Sequence, residues 1–233
     1  MFETDSPDYN IEVRFFTPTT EVPICGHATI AAHYVRAKER NMEGGTVVQK
    51  TKAGILPVEV VRTLSDYSIT MTQGTPAVSA PFGDAVRERI ADALGIAHEE
   101  ICREYPVAVA STGHSKVMVP LYSNELLHGL RPDLQKLTKI SKQIECNGYY
   151  VFTLNPQNKI LVHGRMFAPA IGIAEDPVTG NANGPLGAYL VHFNILQEED
   201  APCFDFDILQ GEAIKRDGTM HVHVEKEHGA PKL

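Results

Sequence analysis

Residues 172–194, GIAEDPVTGNANGPLGAYLVHFN, decide the reading of the fold. Two carboxylates, Glu175 and Asp176, come first, then a turn containing Pro177, then the small-residue stretch Gly180-Asn181-Ala182-Asn183-Gly184. From Asn181 to Asn194 no acidic or basic charge interrupts the run. This pattern predicts an acidic loop feeding a fully buried helix, with Pro185 just inside its start, where a missing N–H costs nothing. A helix that is apolar all round must be wrapped by other elements. Gly184, Gly187 and Ala188 would let those elements come close. The open N–H groups at its start form a ready site for an anion.

The arrangement occurs twice. Residues 14–34 read RFFTPTTEVPICGHATIAAHY, and residues 165–189 read RMFAPAIGIAEDPVTGNANGPLGAY. Arg14-x-Phe16-x-Pro18 matches Arg165-x-Phe167-x-Pro169 at an offset of 151 (165 − 14). Cys25-Gly26-His27-Ala28 matches Thr179-Gly180-Asn181-Ala182 at an offset of 154 (180 − 26), so the second loop is three residues longer. Each copy reads as a strand, a loop with an acidic residue, a Gly turn and a buried Ala/Gly-rich helix. A domain-sized period implies two like domains rather than a solenoid. The expected geometry is two facing helix N-termini around one small anionic ligand.

The rest of the composition sets bounds. A chain of 233 residues carries one or two domains with a sizeable core. A net charge of −8 argues against nucleic acid as a partner. No stretch approaches the length of a membrane span, and no signal peptide is read at the start. Cys25, Cys102, Cys146 and Cys203 are scattered without a C-x-x-C pair, which fits reduced thiols in a cytoplasmic protein.

Taken in order, residues 1–12 read as a loop, Val13–Thr17 as a strand, and Thr19-Thr20-Glu21 as a turn. The first buried helix runs from Ala28 to about Glu39. Thr46–Thr51 and Leu56–Arg62 form a hairpin around Lys52-Ala53-Gly54, and Tyr67–Thr72 is a further strand. Pro76–Gly83 reads as a linker, with Asp84 capping a helix over Ala85–Leu94. The boundary between the like halves falls here, giving residues 1–102 and 103–233. Val107–Ala110 and Lys116–Leu121 flank the turn Thr112-Gly113-His114-Ser115. A helix begins at Pro132-Asp133, runs to about Ile144 and stops at Asn147-Gly148. Tyr149–Leu154 and Ile160–Phe167 form another hairpin, and Phe204–Gln210 and Met220–Glu225 close the chain. The pattern is α+β, with mostly antiparallel strands around one buried helix in each half.

The segments EVPICGHATIAAHYVRAK and GRMFAPAIGIAEDPVTGNANGPLGAYLVH resemble the signature segments of the PhzF-like (phenazine-biosynthesis-like) isomerases, and of the YddE-type branch most. STGHSKVMVPL and ISKQIECNGYYVF extend the resemblance over nearly the whole chain. It implies a diaminopimelate-epimerase-like fold, in which two pseudo-symmetric domains each curve a sheet around a central helix. It also implies isomerisation by proton movement without a cofactor, and a homodimer. Carried over position by position, the family's Gly-His pair falls on Gly26-His27 and its acidic residue on Asp176. Its T-G-S-A turn falls on Thr179-Gly180-Asn181-Ala182, with Asn181 where many members have Ser. The family's general acid/base, a Glu in N-x-S-E-T-x-F, has no matching stretch here. Glu3-Thr4 is read as accidental, since Asp5-Ser6-Pro7-Asp8 follow where an apolar strand should run. The chain therefore reads as truncated at both ends, lacking its opening strands and a final returning strand after EKEHGAPKL.

The chemistry can be read independently of the resemblance. Shifting a proton on a small carboxylic acid needs a base, a donor for the receiving atom and an anchor for the carboxylate. Backbone N–H groups of Gly26–Ala28 and Gly180–Ala182 can supply the anchor. His27, at a helix start, is disfavoured as a cation and would act as a neutral hydrogen-bonding group. Asp176 would orient a substrate amine or hydroxyl, or relay a proton. Two other readings stand beside this one. An amino-acid epimerase or racemase would use Cys25 as one of two opposed thiols, but its counterpart is Thr179. A non-catalytic binder would keep the anion pocket without the base. His221-x-His223-x-Glu225 could bind a metal, but without a converging partner a solvated strand face is the better reading. No metal and no membrane partner is expected.

Overall fold

The residues up to Gln73 and those from Gly74 onward make two separate sets of contacts. The computed structural model describes residues 1–16, 21–155, 157, 160–195, 202–227 and 230–232. The expected turn at Thr19-Thr20 and the repeated Pro18 lie outside the described residues.

In the first unit, β1 (Phe2–Glu3) and β2 (Ile11–Glu12) pair where a loop was expected, and β3 (Phe15–Phe16) pairs with β4 (Glu21–Val22). Then come α1 (Gly26–Glu39), β5 (Gly45–Thr51), β6 (Gly54–Arg62) and β7 (Tyr67–Met71). The sheet order is β1-β2-β5-β6-β7. The turn at Lys52-Ala53 joins β5 to β6 as the alternation predicts, with Gly54 at a φ of +124° that a side chain would strain. Only one stripe of α1 is buried, Gly26, Thr29, His33 and Ala37, while Ala31 and Val35 are exposed. The burial expected of this helix is thus confined to one face, from its first turn onward. The sheet covers the i, i+4, i+8 stripe, and the Ala-rich sequence leaves its opposite face in water.

The second unit comprises β8 (Ala77–Val78), α2 (Asp84–Leu94), β9 (Ala108–Ser111), β10 (Lys116–Pro120), α3 (Asn124–Gly129) and α4 (Leu134–Ile144). β11 (Tyr149–Leu154), β12 (Ile160–Ala168), β13 (Ile173–Asp176), α5 (Gly180–His192), β14 (Cys203–Gln210), β15 (Gly218–Glu227) and β16 (Ala230–Lys232) complete it. Its sheet runs β16-β15-β14-β12-β11-β10-β9-β8, with β13 on β12. Pairing is antiparallel except at β10/β11 and β12/β14. β16 returns along β15, a pairing the sequence reading did not expect; His228, Gly229 and Leu233 lie outside the described residues. The compact units divide earlier than the halves expected from sequence, because β8 pairs with β9 and α2 packs on α4.

The two faces of this sheet carry different helices. Val117, Val119, Tyr149, Val151 and Phe167 pack against α2, α3 and α4. Met118, Tyr150, Phe152, Val162 and Met166 pack against α5. Both ends of the sheet, β8–β10 and β15–β16, also reach α5, so the sheet curls around it. Every residue from Ala182 to Val191 is buried, as the charge-free run predicts.

Some local readings are corrected. Asp84 is the first residue of α2, and Gly83 takes the cap position without a side-chain bond. Asp133 does cap α4, accepting from the Gln135 and Lys136 amides at 3.0 Å each. The left-handed stop of α4 is Glu145 (φ 53°), not Asn147-Gly148. Gly148 is needed for space, since a Cβ there would lie 2.9 Å from Lys116 Cδ and 3.1 Å from the Phe167 carbonyl. Pro185 is the sixth residue of α5 rather than the first. Its ring removes the donor that the Asn181 carbonyl would otherwise receive, a cost of about 3 kcal/mol, and three glycines add about 1 kcal/mol each. Burial of Leu186, Tyr189, Leu190 and Val191, at about 1.5–3 kcal/mol per large side chain, outweighs this. The helix exists because the sheet surrounds it, not because its residues favour helix.

Candidate functional site

The start of α5 is held by a buried polar frame. Thr179 occupies the cap position in extended conformation; its hydroxyl donates to Asp176 Oδ2 at 2.6 Å and accepts no bond from the helix amides. Gln210, fully buried at the end of β14, donates from Nε2 to the Asp176 carbonyl (2.8 Å) and to Thr179 Oγ1 (3.0 Å). Its Oε1 accepts from the Thr179 amide (3.3 Å) and from Asn183 Nδ2 (3.1 Å). Asn183 Nδ2 also reaches the Thr179 carbonyl at 3.1 Å. The Ala182 and Asn183 amides donate to that same carbonyl. The amides of Gly180 and Asn181 precede the helical ladder, and Asn181 is only half-buried. Asp176 Oδ1 has no protein partner among the described residues, so one carboxylate oxygen is fixed and the other is open.

The first unit repeats this construction in several details. Arg14 Nε and Nη2 donate to Glu21 Oε1 and Oε2 at 2.8 and 3.0 Å. Arg165 Nε and Nη2 donate to Glu175 Oε1 and Oε2 at 2.9 and 2.7 Å. Each guanidinium sits over the phenylalanine two residues on, Phe16 at 5.1 Å and Phe167 at 5.0 Å. Phe15 opposes Val22 in β3/β4 as Met166 opposes Asp176 in β12/β13. In α1, Thr29 Oγ1 donates to the Cys25 carbonyl at 2.8 Å, the counterpart of Asn183 to Thr179. One turn further along α1, in its buried stripe, His33 Nε2 lies 3.1 Å from Gln49 Oε1, a contact with no counterpart in α5, where the aligned residue is Gly187.

The sequence-predicted residues therefore assemble as two sets, each within its own unit. Asp176, Gly180, Asn181 and Ala182 gather at the start of α5. Gly26, His27 and Ala28 lie at the start of α1, where Gly26 is buried and His27 exposed. Cys25 Sγ lies 3.4 Å from His27 Nε2. Glu3 is 2.7 Å from Arg40 and 3.6 Å from Arg36. Arg36 is nine residues beyond His27, roughly 13 Å along the helix axis. Glu3 is thus engaged at the far end of α1.

Sequence reasoning missed two residues near Asp176, Gln210 in the frame and Lys116 beside it. Gln210 was legible as a polar residue at an inward position of an alternating strand, after buried Phe206 and Ile208. Lys116 opens the wholly buried strand β10 and donates from Nζ to the Ser115 carbonyl at 3.1 Å. Burial lowers its pKa, opposed by the electrostatic pull of the nearby Cys146 and Asp176 side chains. His221 and His223 do find converging partners, contrary to expectation. His223 Nδ1 is 2.7 Å from Asp205 Oδ1, and His221 Nδ1 is 2.8 Å from Asp207 Oδ1 on the opposed strand. Both imidazoles are well exposed, as expected of a solvated strand face.

A family model described as phenazine biosynthesis-like protein, PhzC-PhzF, matches residues 1–232. The chain belongs to the PhzC-PhzF family. An uncharacterized isomerase of Clostridium acetobutylicum is 50% identical over 232 residues, 99% of this chain and 76% of that protein. The uncharacterized isomerase YddE of Escherichia coli K12 is 47% identical over 231 residues, 99% of this chain and 77% of its own. Among solved structures, a PhzF-family phenazine biosynthesis protein of Bacillus anthracis superposes with a TM-score of 0.85 at 28% identity, covering 98% of this chain and 77% of that one. A probable proline racemase of Agrobacterium radiobacter K84 shares the fold, with a TM-score of 0.61 at 11% identity, 99% of this chain and 69% of that one. The α+β, epimerase-like architecture expected from the sequence is the one observed. No helix of the described residues is long and apolar enough to cross a membrane.

Proposed function

We propose that this PhzC-PhzF family chain is an isomerase that moves a proton on a small carboxylic acid, with no cofactor taking part. The observation that carries the reading is the α5 start, where Gln210 and Thr179 fix Asp176 beside helix amides that precede the ladder. Those amides, with the positive end of the helix dipole behind them, would hold the ligand carboxylate. Asp176 Oδ1, open and within the same turn, would take a proton from carbon and return it to another atom of the substrate. Gly26, His27 and Ala28 at the start of α1 offer the same kind of donors within the first unit and are proposed as a second carboxylate-binding helix start, with His27 neutral. The homodimer and the cytoplasmic location expected from the sequence belong to this reading.

Incubation with a panel of small unsaturated and α-substituted carboxylic acids in deuterium oxide, followed by proton NMR, tests it. At least one acid should gain deuterium at carbon, and Asp176→Asn should slow that exchange by about 10²–10⁴-fold. No exchange with any acid, or exchange unchanged in Asp176→Asn, would overturn the assignment. The contact of Cys25 with His27 favours one second reading, epimerisation through a thiol. Cys25→Ser separates the two, because only a thiol-dependent epimerase would lose turnover.

A further inference from the structure

On the face of the second unit's sheet away from α5, three metal-ligand side chains from three elements meet. His128 comes from α3, His163 from β12, and Glu212 from the short 3-10 turn Glu212–Ile214. Glu212 Oε2 is 2.7 Å from His163 Nδ1 and 3.2 Å from His128 Nε2. All three ligand atoms lie within 4.8 Å of one another. The two imidazoles stand edge to face with centroids 6.4 Å apart, so their nitrogens converge on the carboxylate without stacking.

We propose that His128, His163 and Glu212 bind a divalent transition-metal ion of the zinc class. Ligands of a tetrahedral zinc ion, at about 2.0–2.2 Å from it, stand roughly 3.3 Å from one another. The observed separations of the carboxylate oxygen from the two nitrogens, 2.7 and 3.2 Å, are shorter than that by about 0.6 and 0.1 Å, so a small outward shift of His163 makes room for the ion. Two imidazoles and one carboxylate are a donor set that suits zinc, and they leave a fourth position for water. Water can reach it, because the His128 side chain is 38% exposed while His163 is 13%. Metal binding here requires each imidazole to present its lone pair where it now donates N–H to Glu212. Each ring would then coordinate through the nitrogen that faces Glu212 and carry its proton on the other.

The elements bearing the ligands are fixed by other contacts. Arg165 Nη1 donates to the Leu127 and Leu130 carbonyls at 3.0 and 3.2 Å, on either side of His128, and so clamps the end of α3. Asn124, at the start of the same helix, bonds Thr153, which opposes His163 in the β11/β12 ladder. Glu212 follows Gly211, whose φ of +94° and close approach to the Arg216 and Pro177 carbonyls admit no side chain. A bound ion would therefore tie α3 and β12 to the turn that follows Gln210, the residue that frames the α5 start.

Zinc chloride titrated into chelator-stripped full chain in a calorimeter, with cobalt(II) visible spectra as a second readout, tests the proposal. One ion per chain is expected, with d–d bands of a low-coordinate cobalt site. His128→Gln and Glu212→Gln should each weaken binding about tenfold or more, and Asp205→Asn should leave it unchanged. His128 is the most exposed ligand, so His128→Gln is the variant least able to disturb folding, and near-ultraviolet circular dichroism verifies this. Absence of binding would overturn the proposal. So would binding that Asp205→Asn abolishes and His128→Gln leaves intact, since the ion would then sit on the exposed β14/β15 face.

Discussion

Gly187→Ala tests the packing that creates α5. A Cβ at position 187 would lie 2.6 Å from Val224 Cγ2 and 3.3 Å from Val222 Cγ1. Carbon atoms in ordinary contact stand about 3.5–4.0 Å apart, so the first gap must open by about 1 Å. Val224 is fully buried and β-branched, so its methyl group cannot swing aside. Helix and strand must separate instead. Overpacking of this kind costs about 1–3 kcal/mol, against about 1 kcal/mol regained in helix propensity when alanine replaces glycine. The net expectation is a loss of up to about 2 kcal/mol in the second unit. At about 2–4 °C per kcal/mol, its calorimetric melting temperature should fall by up to roughly 8 °C. Val224→Ala removes the obstructing methyl groups, so the double variant should lose less than the two single losses added. A Gly187→Ala chain that melts above the parent temperature would refute the close approach, because alanine would then be acting as it does on an open helix face.

Two further outcomes follow from the repeated arginine–glutamate pairs. Arg165→Met should cost about 3–5 kcal/mol in urea unfolding of the second unit, since it strands the half-buried Glu175 and uncovers two carbonyls of α3; Arg14→Met, at a more exposed copy, should cost much less, and equal losses would contradict the burial argument. Glu21 is held at about 2, well below the ordinary 4.5, first by its bond to Arg14 and then by Lys52. Its contribution is complete above pH 4.5 and is lost as pH falls toward 2, so Glu21→Gln should flatten that part of the first unit's acid-unfolding curve. An unchanged curve would show that other carboxylates govern it.

Much of this was legible in the sequence because the duplication preserved it. The offset that aligns Cys25 with Thr179 also aligns Glu21 with Glu175, and both glutamates hold their arginines through the same atoms. The charge-free run fixed α5 as a buried helix, yet its start was misplaced by five residues. Pro185 reads locally as a helix opener, but burial by the surrounding sheet extends the helix back through Gly180 at the expense of propensity. For α1 the apolar start was read as buried, yet Ala31 and Val35 are exposed, because alanine is tolerated equally against a sheet and against water. Asp176 and the Gly-Asn-Ala turn could be named, whereas their support by Gln210 depends on a strand pairing set far along the chain. The convergence of His128, His163 and Glu212 is of the same long-range kind, and no spacing announces it.

The account depends on the α5 start being a carboxylate site, and amide NMR reads that directly. With isotope-labelled full chain titrated with small monocarboxylates, the Gly180, Asn181 and Ala182 amide resonances should shift together and saturate. Shifts that saturate elsewhere while these three amides stay still would contradict the central claim.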